Sequence, residues 1–210
     1  MKTRALPSAM NNRFGHRFAW AILACLMFAL GPACLAANPP TPAGPPPGEA
    51  ELIRMLGSAN PDTVIDALGQ LPRRYPASTG AVPAIRGILK NGAVRRQAAR
   101  ALGNYHAELP PEDVRVVLGL LRSPDINDAM DGLKALRDLR EPADIRKKIA
   151  ADIVPLLNDR EVHVVRDACR TLAVVGNRDT ISALEPLLHH ARSDIRQEAQ
   201  KAIAALSPPP

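Results

Sequence analysis

The segment AVPAIRGILKNGAVRRQAARALGNYH, residues 81–106, decides the fold of this chain. An aliphatic stretch with an early proline comes first, a polar turn follows at Asn91-Gly92, and an Ala-rich stretch ends at Leu102-Gly103. In both stretches apolar residues recur every three or four positions, which is the period of an amphipathic helix. The segment therefore predicts a helix, a turn and a second helix.

The same unit recurs five times between residues 49 and 206, at intervals of 31 to 36 residues. Each second stretch has a small or flexible fifth residue and an aliphatic ninth residue. The fifth residues are Ala67, Ala98, Gly132, Ala168 and Ala199, and the ninth are Leu71, Leu102, Leu136, Leu172 and Ile203. The preceding apolar stretches are 50–56, 81–89, 114–121, 150–157 and 181–188. Since one helix pair cannot bury its own apolar stripe, the pattern predicts an all-α solenoid of about five stacked antiparallel helix pairs.

Residues 81–106 and 181–206 resemble the HEAT and HEAT-like repeat family, especially its short bacterial form. The resemblance extends over about 49–206 and implies a superhelix in which the second helices line the concave face. Two departures stand out. The interval is shorter than the roughly 40–47 residues of full HEAT units, and repeat three, with Gly132, diverges most. The first repeat is either a full unit or a cap, and we expect local irregularities in curvature.

Aromatic residues and charge are distributed unevenly along the chain. All three Phe and the single Trp fall within the first 30 residues, so the predicted core is built of Leu, Ile, Val and Ala. The formal net charge of +6 overstates the charge of the repeat region. Four of the 27 basic residues and none of the 21 acidic ones precede residue 36, so the remainder carries only about +2. Nucleic-acid binding requires a concentrated positive field, and we expect no nucleic-acid partner.

Residues 1–37 have the order of a secretory signal peptide. A basic segment is followed by the uncharged run FAWAILACLMFAL (18–30), then by Gly31-Pro32 and small residues. Cleavage after Ala36 or Ala37 fits this order best and predicts a periplasmic or secreted protein. Two alternatives remain open: an uncleaved membrane anchor over 18–37, and a lipoprotein acylated at Cys34. Membrane association is expected only in these two cases.

Proline-rich segments flank the repeats. Residues 38–48 hold six prolines in eleven positions, which favours an extended tether, and 207–210 form a short Pro-rich tail. If the leader is removed, Cys169 is the last cysteine, so no internal disulfide is expected. Its position in the repeat predicts a buried thiol that packs as a small apolar group.

The sequence contains no recognisable catalytic motif. We find no Gly-rich phosphate loop and no HExxH, CxxC or GxSxG pattern, and we predict no enzymatic activity, no cofactor and no metal site. Adjacent residues on a helix point about 100° apart, so His189 and His190 cannot share one metal without further ligands. His106 and His163 stand alone. Tyr75 and Tyr105, each just past a second helix, are expected to pack at inter-repeat loops.

The second helices carry the most informative surface pattern. Their seventh residues form a basic ladder through four repeats: Arg100, Lys134, Arg170 and Lys201. In repeats three to five the fourth residue is an acid, which predicts the local pairs Asp131–Lys134, Asp167–Arg170 and Glu198–Lys201. Repeat two has Gln97 there, so Arg96 and Arg100 are expected to keep their full charge.

These features predict an exported HEAT-like scaffold that binds a protein partner through Arg96, Arg100, Lys134, Arg170 and Lys201. Such basic residues are suited to an acidic partner. Two other interpretations of the ladder and the fold remain open. The ladder is also compatible with a solvated, self-paired surface. The fold is also compatible with an accessory enzyme, since some HEAT-like proteins resemble lyases that act on protein substrates, or with a structural spacer of the envelope.

Overall fold

The computed structural model describes residues 46–207. The predicted leader with Ala36 and Ala37, most of the tether and the last three prolines lie outside this range. The described residues form ten α-helices in five pairs and contain no strand. The pairs are α1 (Glu49–Met55) with α2 (Pro61–Arg74), α3 (Ala81–Ile88) with α4 (Arg95–Asn104), α5 (Pro111–Leu120) with α6 (Ile126–Asp138), α7 (Ala143–Ile153) with α8 (Val162–Val175), and α9 (Ile181–Leu184) with α10 (Ser193–Leu206).

The helices stack in two layers, which confirms the predicted all-α solenoid. Neighbouring second helices α2, α4, α6, α8 and α10 contact each other in chain order, and each packs on the first helix of its own pair. Aliphatic side chains from both layers form one continuous core, as expected for stacked repeats. No helix within residues 46–207 combines the length and apolar character needed to cross a bilayer.

Small residues allow the second helices to approach their neighbours. The fifth-position residues Ala67, Ala98, Ala168 and Ala199 are all completely buried. At Gly132 a Cβ atom would lie only 3.0 Å from Cβ of Leu120 and 3.3 Å from Cδ2 of Leu121. The glycine of the divergent third repeat therefore permits a closer helix contact rather than marking a defect in the array.

Prolines shape the first-helix layer. Pro155 and Pro186 each lie in a short 3₁₀ segment, Val154–Asn158 and Glu185–His189, that continues α7 and α9. Proline has no N–H to donate within an α-helix, so the chain tightens into 3₁₀ geometry at these points. The helix expected at 150–157 begins earlier, at Ala143. Its last residues, from Val154 onward, are 3₁₀ rather than α-helical because of Pro155.

Side-chain caps begin two of the five second helices, α2 and α6. Asn60 and Asp125 accept hydrogen bonds from the backbone N–H groups of Asp62 and Asn127, which is the usual role of a helix N-cap. Ser193 and Asp194 are the first two residues of α10.

Two tyrosines and a histidine connect the first repeats. The Tyr105 hydroxyl donates to the carbonyl of Tyr75 at 3.0 Å, which confirms the packing expected at this loop. Its partial burial raises the pKa of Tyr105 to about 12. His106 follows α4 with a positive φ of 49°, and its Nδ1 donates to the carbonyl of Asp138 at 2.9 Å. These contacts tie repeat one to two and repeat two to three.

Candidate functional site

The candidate site is the surface of the second-helix layer, called here the second-helix face. It carries the fourth and seventh residues of each repeat, whereas the fifth residues point into the core. The four junctions between consecutive repeats are named by their repeats, from one–two to four–five. At the two–three and four–five junctions the seventh residue of one repeat contacts the fourth residue of the next.

The three local ion pairs predicted within single helices are present. The Lys201 ammonium lies 3.2 Å from Glu198, the Arg170 guanidinium 3.4 Å from Asp167, and Lys134 3.9 Å from Asp131. Three residues along a helix bring the two side chains together on its surface. On an exposed helix surface a pair of this kind contributes only a few tenths of a kcal/mol.

Shorter ion pairs connect neighbouring repeats, and the sequence analysis did not predict them. Arg100 Nη1 donates to Asp131 Oδ1 at 2.6 Å across the two–three junction, and Arg170 Nη2 donates to Glu198 Oε1 at 3.1 Å across the four–five junction. The hydrogen bond from Arg170 lowers the pKa of Glu198, and the same bond raises the pKa of Arg170. The ladder is therefore held both along each helix and between helices.

The expectation that repeat two keeps uncompensated arginines is wrong. Arg96 lies 3.4, 3.7 and 3.6 Å from Asp125, Asp128 and Asp131 of the next repeat, and Arg100 shares Asp131. The acids missing from α4 are supplied by α6 and its N-cap. An acid on the same helix is apparent from sequence spacing, whereas an acid on the neighbouring helix is brought close only by the stacking of the repeats.

The three–four junction uses a different contact. Lys134 turns to Asp131 of its own helix, and the Thr171 hydroxyl donates to the carbonyl of Leu133 at 3.1 Å. The buried carboxylate of Asp167 faces Arg166 at 3.9 Å and Arg170 at 3.4 Å, so both of its nearest cations come from α8.

The one–two junction has no ionisable residue at either ladder position. The seventh residue of repeat one is Gly69 and the fourth residue of repeat two is Gln97. A groove of about 200 Å³, called here the Gly69 groove, lies at this point. Residues from α2, α4 and α6 line it: Ile65, Leu68, Gly69, Arg73, Gln97, Arg100, Ala101, Asn104 and Asp131. A Cβ atom on Gly69 would meet nothing within 4 Å, so the missing side chain leaves open space.

The remaining residues singled out in the sequence occupy structural positions. Cys169 is fully buried, as predicted, and burial raises the pKa of its thiol to about 12. A thiol with so high a pKa is protonated at neutral pH and is a poor nucleophile. His190 Nδ1 accepts a hydrogen bond from the Arg192 N–H at 3.2 Å, and His163 is exposed on α8. Among residues 46–207 no group of three or more side chains is arranged to hold a metal ion.

Solved structures similar to this chain are helical-repeat proteins. One is an engineered protein, with a TM-score of 0.60, 24% identity and coverage of 75% of this chain and 78% of that chain. A chain of the complex of CpcE and CpcF of phycocyanin lyase from Nostoc sp. PCC7120 matches with a TM-score of 0.63 and 22% identity, covering 81% of this chain and 69% of that one.

A designed armadillo repeat protein in complex with the peptide (KR)4 also matches, with a TM-score of 0.58 and 20% identity, over 75% of this chain and 81% of that chain. No family model and no curated protein matches the sequence. At these identities the similarities establish the fold alone. They confirm the predicted armadillo/HEAT-like helical repeat.

Proposed function

We propose that this protein is an exported, non-catalytic scaffold that binds a partner protein on its second-helix face. The observation that carries the proposal is the set of ion pairs between repeats, Arg100–Asp131 and Arg170–Glu198. They hold long charged side chains in one arrangement before any partner arrives. A surface ordered in advance loses less conformational entropy on binding.

The binding residues in this proposal are the members of the ladder together with Arg96. Arg96 and Arg100 present a shared cluster with α6, while Lys134, Arg170 and Lys201 continue along the face. Peptide binding by a designed armadillo neighbour supports a protein partner as a general kind. The small net charge of the repeat region argues for selective contacts rather than a broad attraction to nucleic acid.

Export is part of the same proposal and rests on the sequence order of residues 1–37. The mass of the mature N-terminus tests it. A chain that begins after Ala36 or Ala37 supports a periplasmic or secreted scaffold. An intact Met1 would instead support the membrane anchor, and an acylated Cys34 the lipoprotein.

Photo-cross-linking in the cells that make the protein tests the binding face. A photoreactive amino acid replaces Lys134 or Lys201 on the second-helix face, and Gly87 or Arg115 on the first-helix layer as matched controls. All four positions are solvent-accessible, so none of the substitutions disturbs the core. We expect a discrete cross-linked protein from the first two positions only. Equal products from both layers, or no protein product from either, would reject the scaffold.

One comparison favours a second candidate function, an accessory role in an enzyme that acts on a protein substrate. The observation is the similarity to a chain of the phycocyanin lyase complex. Metal analysis and an absorption spectrum of protein purified from its own host test this candidate. A stoichiometric metal or chromophore would favour it over the scaffold.

A further inference from the structure

The inference concerns the Gly69 groove and rests on the proposed function. At the two–three and four–five junctions a seventh-position arginine meets a fourth-position carboxylate. At the one–two junction both members of this pair are absent together, because Gly69 and Gln97 replace them. We infer that the Gly69 groove binds a glutamate side chain from an extended, acidic segment of the partner protein.

Two arginines give the groove its preference for a carboxylate. Arg73 is exposed, and within residues 46–207 its side chain has no ion-pair or hydrogen-bond partner. Arg100 uses only Nη1 for Asp131, so the other donors of its guanidinium group remain available. A guanidinium group presents five N–H donors in a planar fork that matches a carboxylate.

The neutral lining of the groove fits the rest of a glutamate side chain. Ile65, Leu68 and Ala101 provide an apolar floor for its two methylene groups. The amides of Gln97 and Asn104 also line the groove, and in the part of the chain that the structure describes they make no side-chain hydrogen bonds. They add donors beside the arginines without adding a competing charge.

Two acids lie near the groove, and one of them, Asp131, is part of its lining. Asp131 is paired with Arg96, Arg100 and Lys134. Asp125 and Asp128 also face Arg96, so the charges of this cluster balance. Asp66 lies one turn before Gly69, does not line the groove and accepts a hydrogen bond from Gln70. An acidic partner therefore meets the charge of Arg73, which is unpaired within residues 46–207, and the spare donors of Arg100, and salt is expected to weaken the contact.

The N-terminal region of this chain is poorly suited to bind in the Gly69 groove. Residues 1–45, which precede the described array, contain no aspartate or glutamate. The proline-rich tether consequently lacks the group that the two arginines select. Charge complementarity thus favours a separate acidic protein segment over the protein's own N-terminal region.

Fluorescence anisotropy with labelled peptides tests the inference on the purified full chain. The probe is a short peptide of alternating Glu and Ala, and the controls replace Glu with Gln or with Lys. We expect saturable binding of the Glu peptide that weakens as salt is added, and no binding of the controls. No binding of the Glu peptide, or equal binding of the Gln peptide, would overturn the inference.

Three substitutions locate the binding site, and two more serve as controls. Gly69→Met fills the groove and is expected to weaken binding by at least about tenfold, whereas Gly69→Ala leaves room and is expected to preserve it. Arg73→Gln is expected to weaken binding by roughly three- to tenfold. Arg115→Gln and Gly119→Met, on the exposed side of α5, are matched controls without effect. Circular dichroism checks that each variant is folded. We expect Gly69→Met to fold, because a side chain at position 69 would extend into open space.

The outcomes separate this inference from the proposed function. If the Glu peptide binds but Gly69→Met does not weaken it, the groove assignment is wrong. If cross-links persist on the second-helix face while the Glu peptide fails to bind, the scaffold stands and the acidic ligand is rejected. Loss of both the cross-links and the peptide binding would reject the two together.

Discussion

At the four–five junction Arg170 of α8 donates to Glu198 of α10, whereas the corresponding positions at the one–two junction are Gly69 and Gln97. Below this surface the two junctions are alike. Ala67 and Ala98 at one junction, and Ala168 and Ala199 at the other, are all completely buried. Core packing and surface chemistry therefore depend on different positions of the same helix. A repeat that lacks the surface ion pair therefore still packs against its neighbour through the same buried alanines.

The largest expected effect tests what the two junctions share. Ala98→Asp and Ala168→Asp each place an unpaired carboxylate in a closely packed, fully buried position. We expect each to lower the free energy of unfolding by roughly 3–5 kcal/mol, measured by chemical denaturation. Ala151→Asp, at an exposed position of α7, is the control and should be nearly neutral. Wild-type stability in both buried variants would show that the assigned repeat register is wrong.

A smaller effect distinguishes two glycines of the second helices. A Cβ atom on Gly103 would lie 3.0 Å from Cα of Ala135 and 3.2 Å from its carbonyl oxygen, and neither backbone atom moves easily. We expect Gly103→Ala to destabilise the protein by about 1–3 kcal/mol. Gly69→Ala meets open space and should stabilise it by about 0.5–1 kcal/mol through helix propensity. Thermal melting of both variants measures this, and changes of the same sign would contradict the packing described.

Removing the carboxylate at the four–five junction is expected to have a modest effect that depends on pH. Glu198→Gln should cost about 0.5–1 kcal/mol at neutral pH, because Arg170 and Lys201 lose a charged acceptor. The pKa of Glu198 in the folded protein is below its ordinary value of 4.5, chiefly because of the hydrogen bond from Arg170. The stabilisation is therefore present above pH 4.5 and is lost as the pH falls through the lower, folded-state pKa.

Denaturant titrations of wild type and Glu198→Gln at several pH values check this prediction. The difference between the two proteins should shrink as the solution becomes more acidic than pH 4.5. Glu185→Gln, an exposed carboxylate of the same repeat, is the matched control and should show no such difference. A constant difference at all pH values would show that the carboxylate charge is not the cause.

The smallest effect comes from installing the missing ion pair at the one–two junction. The double variant Gly69→Arg/Gln97→Glu should acquire the arrangement of Arg170 and Glu198, with a coupling energy of about 0.2–1 kcal/mol in a double-mutant cycle. A cycle that combines Gln97→Glu with Gly119→Arg, on the other layer, should give a coupling near zero. Equal couplings in the two cycles would mean that the junctions do not share one geometry.

The amino-acid sequence by itself determined the helical repeat. Apolar periodicity, small fifth residues and turn residues recur in register, and each is a local property of one helix pair. The ion pairs within single helices were predictable for the same reason, since residues three apart always meet on a helix surface. The buried state of Cys169 and the packing of Tyr75 and Tyr105 at an inter-repeat loop also followed from their repeat positions.

Only the tertiary structure decided how the helices face one another. Arg96 and Arg100 were expected to be uncompensated, yet Asp131 lies 31 residues beyond Arg100 and accepts its hydrogen bond. Such a contact depends on the offset and rotation between stacked repeats, which no local period specifies. Gly69 and Gln97 were each visible as departures from the ladder. Their shared place in the Gly69 groove follows only from the stacking, because stacking brings the seventh residue of one repeat to the fourth residue of the next.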